Sequence, residues 1–287
     1  MEKPMSEEEY RAHPALNISR LELISQSPLH YKIGMKDETE AMRMGTIFHM
    51  AILEPEKFKR LVVTEPVFEA PTKAGKMSTQ SGEAREMRNA WREEHKDAMI
   101  LTEPDYNNLL GMIKSLKRES ELEPEDDCIS MREIFSLEHN ELPVFNTLFG
   151  RECKGKLDTC GMSKFGNTIV DFKKIGRLGG ASEEEFSREV FNRNYDAKAW
   201  FYLKLFNAQK FYWVAVEEKP IHSAFPDHSV GIYDAEDFLE MGEKKVTMWE
   251  RKLAECEKTG HWHSYASRSK RLLPKEWSKR LMEEQTW

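Results

Sequence analysis

Apolar positions recur along this chain first at helical spacing and then at strand spacing. In the first 120 residues the period is that of helices. The stretch NISRLELISQSP opens with Asn17 and Ser19, both able to cap, and stops at Pro28, which predicts a short amphipathic helix. In EAMRMGTIFHMAILEP, Met44, Ile47, Phe48, Ala51 and Ile52 recur at three and four, which predicts a helix with one buried face ending near Pro55. Residues 62–81, rich in Pro, Thr, Gly and Lys, read as an exposed loop, and two helices are expected over 82–96 and 103–118. After the acidic stretch ELEPEDD (121–127) the period shortens. Segments 131–138, 142–149, 153–160 and 167–173 alternate or are briefly apolar between Gly, Asn and Ser, the pattern of an antiparallel or mixed sheet. Helices follow over 182–193 and 196–208, strands over 211–218 and 228–234, and a long amphipathic helix over 235–257. This order predicts an α/β fold, a central mixed sheet flanked by helices. A helical N-terminal portion, 1–120, would pack on a core, 121–287, as one continuous domain.

Composition narrows the class. With 287 residues, 39% hydrophobic and 32% charged, the chain can bury a core and keep a charged surface. No apolar run approaches the ~18–20 residues needed to span a bilayer. The opening MEKPMSEEEYRAH has no apolar signal region, and Cys128, Cys153, Cys160 and Cys256 form no CxxC pair, so reduced thiols and a cytoplasmic location are expected. The net charge of −7 argues against a protein that coats nucleic acid, but not against a local basic channel. Basic runs occur at Lys154–Lys156, at Lys173, Lys174 and Arg177, and at Arg268, Lys270, Arg271 and Lys275; each alone is more often a solvated face than a DNA contact.

Candidate chemistry concentrates in KGKLDTCGMSKFGNTIVDFKKIG, 154–176. Alternation along the second strand sends Asp171 and Lys173 to one face and Phe172 to the other. A hairpin through Gly161–Asn167 would bring Asp158 to the same edge. Paired carboxylates repel, and a divalent cation relieves that repulsion; oxygen donors suit Mg²⁺ or Mn²⁺. On spacing alone, a surface hairpin with ordinary Asp–Lys pairs is the simpler account, because D-x-K is frequent by chance. His49 alone on an apolar helix face reads as a core histidine, and His261 and His263 as loop residues. The aromatics Trp200, Phe201, Tyr202, Phe206, Phe211, Tyr212 and Trp213 could stack on bases, but core packing explains them more simply.

GKLD…IVDFK resembles the PD-(D/E)XK nuclease pattern, with Asp158 and Asp171 as the acids and Lys173 as the lysine. Further stretches resemble the RecE-type phage and prophage exonucleases. They are GTIFHMAILEPEKF (45–58), NISRLELISQSPLHYK (17–32), NYDAKAWFYLKLF (194–206), and Trp262, Tyr265, Leu273, Pro274 and Trp277. The resemblance implies a restriction-endonuclease-like fold and a Mg²⁺ site, with Mn²⁺ able to substitute. The ligands would be Asp158, Asp171, His49 and the Phe172 carbonyl, with Lys173 catalytic. It further implies DNA contacts from Lys156, Lys174, Tyr195, Lys198 and Tyr202. The activity implied is 5′→3′ digestion of one strand from double-stranded DNA ends by a ring-shaped homo-oligomer, working with a RecT-type annealing protein and without a membrane. One position departs: the family's Y-x-x-Q-x-x-x-Y has Lys198 in place of the glutamine, and lysine cannot supply an amide's acceptor. That keeps open a weakened protein that only binds DNA or a partner. A repair or defence endonuclease on the same fold is the other alternative.

Overall fold

The computed structural model describes residues 5–34, 39–123, 125–222 and 224–265. The basic run 268–275 and the Leu273, Pro274 and Trp277 matches lie outside them. Prolines act twice as boundaries in the N-terminal portion. After α1 (Glu7–Ala12), α2 (Ile18–Gln26) is capped by Asn17, and Pro28 both ends it and opens α3 (Pro28–Ile33). In the same way α4 (Glu40–Leu53) stops where Pro55 opens α5 (Pro55–Leu61). Proline is suited to that place, since the first helical N–H has no intrahelical partner to lose.

The expected loop 62–81 contains structure of its own. β1 (Val62–Thr64) pairs in parallel with β4 (Met99–Leu101), closing the base of an excursion. The excursion carries the short hairpin of β2 (Ala70–Pro71) and β3 (Met77–Ser78), then α6 (Gly82–Glu94). α7 (Glu103–Glu121) follows. Residues 131–138 are not the expected strand. Ser130 and Glu133 form a capping box that starts α8 (Met131–Phe135), and this local hydrogen bonding overrides the apolar alternation.

The central sheet is five-stranded, in the order β5 (His139–Leu148), β6 (Arg151–Ser163), β7 (Gly166–Ile175), β8 (Lys210–Glu217) and β9 (Val230–Asp234). Its β7–β8 pairing is parallel and the others are antiparallel, so the sheet is mixed as expected. α9 (Glu183–Asn192) and α10 (Tyr195–Phe206) make the crossover, and α11 (Leu239–Thr259) follows β9. Side chains alternate across the sheet into two cores. Val170, Phe172 and Val214 face Ile47 and Phe48 of α4 and Leu109 and Met112 of α7. Ile169, Phe211 and Trp213 face Phe186 and Val190 of α9 and Ala199 and Leu203 of α10. The aromatics Phe201, Phe211 and Trp213 are thus core residues. All four cysteines are free.

The N-terminal helices do not form a layer of their own. α4 covers one face of the sheet, whereas Leu21 and Ile24 of α2 pack with Phe201 of α10 and with Val246, Trp249 and Leu253 of α11. Gly242 lets α10 and α11 approach closely, since a Cβ there would stand 2.2 Å from the Asp196 carbonyl oxygen. Ile24 is fully buried in this third core. Ile24→Ala is expected to cost about 2–5 kcal/mol, read from the shift of the urea unfolding midpoint. A loss well under 1 kcal/mol would show that α2 is not integral to the fold.

Candidate functional site

The site lies where β6 leaves both of its neighbours. The β6–β7 ladder runs from Ser163↔Gly166 to Thr159↔Val170 and stops. The β5–β6 ladder passes from Asn140↔Thr159 to Leu142↔Leu157, skipping the pair Glu141 and Asp158. Glu141 has φ 51, a left-handed conformation that costs a non-glycine residue on the order of 1 kcal/mol. Freed from the ladder, the Asp158 carboxylate accepts from the Phe172 N–H through Oδ2 at 2.8 Å. Its Oδ1 lies 3.3 Å from His49 Nδ1.

His49 reaches the site from α4, with Nε2 2.9 Å from the Phe172 carbonyl oxygen. A carbonyl can only accept, so Nε2 donates to it; a second proton, on Nδ1, would face the Asp158 carboxylate. Burial opposes this charged imidazolium, but the Asp158 charge and hydrogen bond outweigh it and raise the His49 pKa. Burial likewise pushes Asp158 upward, yet His49, Lys173 and the Phe172 N–H together hold it below its ordinary value.

On β7 the alternation is as the sequence predicts. Phe172 is fully buried in the α4-side core, and Asp171 and Lys173 form an ion pair on the other face. Burial raises the Asp171 pKa even against the adjacent ammonium. Burial disfavours the charge on Lys173, but Asp171 and Asp158 outweigh it and keep the ammonium protonated. Two ammonium groups approach the Tyr195 ring, Lys173 Nζ at 4.9 Å and Lys198 Nζ at 5.4 Å from its centroid. Lys198 Nζ also lies 3.6 Å from Glu22 Oε2, and Asn194 Nδ2 donates to Glu22 Oε1 at 3.0 Å.

Other residues expected at DNA are held by the fold itself. Lys156 Nζ is 2.5 Å from Glu141 and 3.0 Å from Glu7. Lys174 pairs with Glu218 at 2.8 Å. The Tyr202 ring lies over Gly155, where a Cβ would stand 2.8 Å from it. Lys154, the other basic residue of that run, is buried and donates to the carbonyls of Tyr10, Arg11 and His13, which ties down the end of α1. His261 is exposed and stacks on His263.

Two clefts meet over Gly45 and His49. One, of about 960 Å³, holds Lys173, Lys174, Arg177, Arg193 and Lys219. The other, of about 430 Å³, holds Asp158, Glu141 and Lys156. Among the described residues, donor atoms of His49, Glu141 and Asp158 all lie within 4.8 Å of one another, while Asp171 is paired with Lys173. Glu141 and Glu22 were not singled out from the sequence. Nothing local marks Glu141 except an acid beside Leu142 and Pro143, and Glu22 shows only as a second charge, two residues after Arg20, on α2.

The donor set fits a hard divalent cation: carboxylates, a carbonyl and one imidazole. Ligands in neighbouring positions of an octahedron with bonds of about 2.1 Å stand about 3 Å apart. The Phe172 oxygen and His49 Nε2 are 2.9 Å apart through a hydrogen bond, so His49 must give up that proton before Nε2 can take a ligand position.

A family model described as a PDDEXK-like domain of unknown function (DUF3799) matches residues 19–271. No curated protein matches the sequence. Among solved structures, a "Putative exonuclease" from Eubacterium rectale shares 12% identity over 99% of both chains, with a TM-score of 0.59, a likeness of fold. A phage related exonuclease from Haemophilus somnus 129PT shares 14% identity over 69% of this chain and 93% of its own, with a TM-score of 0.32. With the match running over residues 19–271, the chain belongs to the PDDEXK-like (DUF3799) family, and its mixed sheet flanked by helices is the PD-(D/E)XK nuclease fold.

Proposed function

We propose that the protein is a Mg²⁺-dependent deoxyribonuclease of the RecE type, able to use Mn²⁺. It digests one strand of linear duplex DNA from its end, 5′→3′, and leaves 3′ single strands for recombination. The observation that carries this reading is the meeting of Asp158, His49 and the Phe172 carbonyl at the parting of β6 and β7, with Asp171 and Lys173 on the adjoining strand. Asp158, Asp171, His49 and the Phe172 carbonyl would hold the cation. When bound, it supplies Lewis acidity toward a phosphate oxygen and lowers the pKa of a water. Lys173, positioned against Tyr195, places a positive charge where phosphate charge develops. The basic cleft with Arg177, Arg193 and Lys219 receives the backbone of a strand.

A ring-shaped homo-oligomer, a RecT-type partner and a cytoplasmic location belong to the same reading. So does one continuous domain, since α4 packs on the sheet and α2 packs on α10 and α11, both in the C-terminal part of the chain. Among the described residues no helix is long and apolar enough to cross a membrane. The test is end-labelled linear duplex beside a closed circle, each with Mg²⁺ and with EDTA. Stepwise shortening of the linear substrate alone, only with metal, is the expected result. Cutting of the circle would favour a repair or defence endonuclease instead.

Removing the imidazole should separate a metal role from a packing role. His49→Ala is expected to lower Mn²⁺ affinity by at least about 10- to 100-fold and cleavage with it. Lower thermal stability with full specific activity would assign His49 to packing.

Lys198, standing where the family pattern has glutamine, favours one further reading, a protein that binds DNA and has lost turnover. Lys198→Gln, which restores the family residue, is expected to keep or raise cleavage. Lys198→Ala should weaken DNA binding and flatten its salt dependence by about one charge contact if the lysine reaches a phosphate. A wild type that is inert until Lys198→Gln is made would favour the binding-only protein.

A further inference from the structure

The acid that sequence spacing did not single out has a place in the same site. We propose that Glu141 is a further metal ligand, and that Lys156 stands in for the cation when no metal is bound. This rests on the metal-site reading above and extends it to a residue and a counter-charge outside the PD-(D/E)XK pattern. Glu141 and Asp158 are the one pair that the β5–β6 ladder skips, and the skip sends both side chains toward His49. The Glu141 side chain is 15% exposed, and burial raises its pKa, so its anion needs a cation close by. In this structure Lys156 supplies one at 2.5 Å.

Lys156 is shared. Its second partner, Glu7 at 3.0 Å, sits on α1, which the three carbonyl contacts of Lys154 fix in place. When Glu141 turns to a cation beside Asp158, Lys156 keeps an anionic partner in Glu7 and is not left as a buried lone charge. The 430 Å³ cleft is lined by Glu141, Asp158 and His49, so a hydrated cation has a route to them. Lys156 and the metal therefore compete for one carboxylate, and Lys156, which the sequence offered as a DNA contact, becomes a tuner of metal affinity.

Mn²⁺ titration calorimetry on the whole chain tests this without reference to cleavage. Glu141→Gln keeps the side chain's shape and is expected to weaken Mn²⁺ binding about tenfold or more. Lys156→Met removes the competitor and is expected to tighten it severalfold. The double variant should behave as Glu141→Gln alone, because Lys156 acts only through that carboxylate. Affinity unchanged in Glu141→Gln, or weakened in Lys156→Met, overturns the proposal. Should Glu141→Gln fail to fold by circular dichroism, Lys156→Met decides it alone. Asp158→Asn separates the two levels. Binding lost there but intact in Glu141→Gln sinks this inference only, whereas Mn²⁺ bound normally by Asp158→Asn, or not bound by the wild type, sinks the metal-site reading as well.

Discussion

Asp171→Ala is expected to abolish cleavage, by a factor of at least about 10³, while the protein remains folded and loses part of its stability. The two effects have separate causes. Activity goes because the cation would lose its carboxylate from β7, the one beside Lys173, where the phosphate is to be held. Stability falls because Asp171 and Lys173 are an ion pair whose side chains are 14% and 16% exposed. Removing the carboxylate leaves the ammonium without its paired anion and with only the Asp158 charge to offset it, which costs less than the roughly 3–5 kcal/mol of a fully buried pair. Asp171→Asn combined with Lys173→Met should recover much of that stability without recovering activity. Single-turnover cleavage and urea unfolding, measured on the same preparations, give both numbers. Cleavage within tenfold of wild type in Asp171→Ala would remove Asp171 from the site.

Lys173→Met is expected to lower the rate of the chemical step about 10²- to 10³-fold and to change DNA affinity by less than about threefold. The ammonium is paired with Asp171 and lies against the Tyr195 ring, so in the ground state its charge is already satisfied. It gains most when negative charge builds on a phosphate during the reaction, and interactions confined to the transition state show in kcat and not in binding. DNA affinity is measured by fluorescence anisotropy in EDTA and the rate by rapid quench with Mg²⁺. A loss carried by affinity, with the chemical rate intact, would make Lys173 a backbone contact.

How much of this could be read in advance depended on how far apart the partners lie in the chain. Asp171 and Lys173 followed from alternation along one strand, and the burial of Phe172 between them agrees. Helix ends at Pro28 and Pro55 were legible for the same local reason, although each proline also opens the next helix. The PD-(D/E)XK resemblance is borne out by the family match, and it drew attention to His49, whose own helix pattern reads as core. Residues 131–138 were misread although Ser130 and Glu133 carried the capping-box signal. Glu141 was not legible, because a left-handed residue inside a strand is set by the skipped pairing with Asp158. Lys156 and Lys174 looked like free basic charges. Their partners, Glu7 and Glu218, come from distant elements, and no spacing rule brings them together. The three-residue ladder of β1 and β4 is equally non-local, since each strand is too short to declare itself alone.

The seating of α2 against α11 also sets an order of events in time. Leu21 and Ile24 near the start of the chain complete their core only with Val246, Trp249 and Leu253 near its end. At about 5–20 residues per second, a ribosome leaves α2 waiting roughly 10–50 seconds for that partner. Meanwhile its apolar face is open to solvent and to chaperones. The emergence of α11 is therefore what releases α2 from that exposure, and chains truncated before Leu239 should be held by chaperones or aggregate.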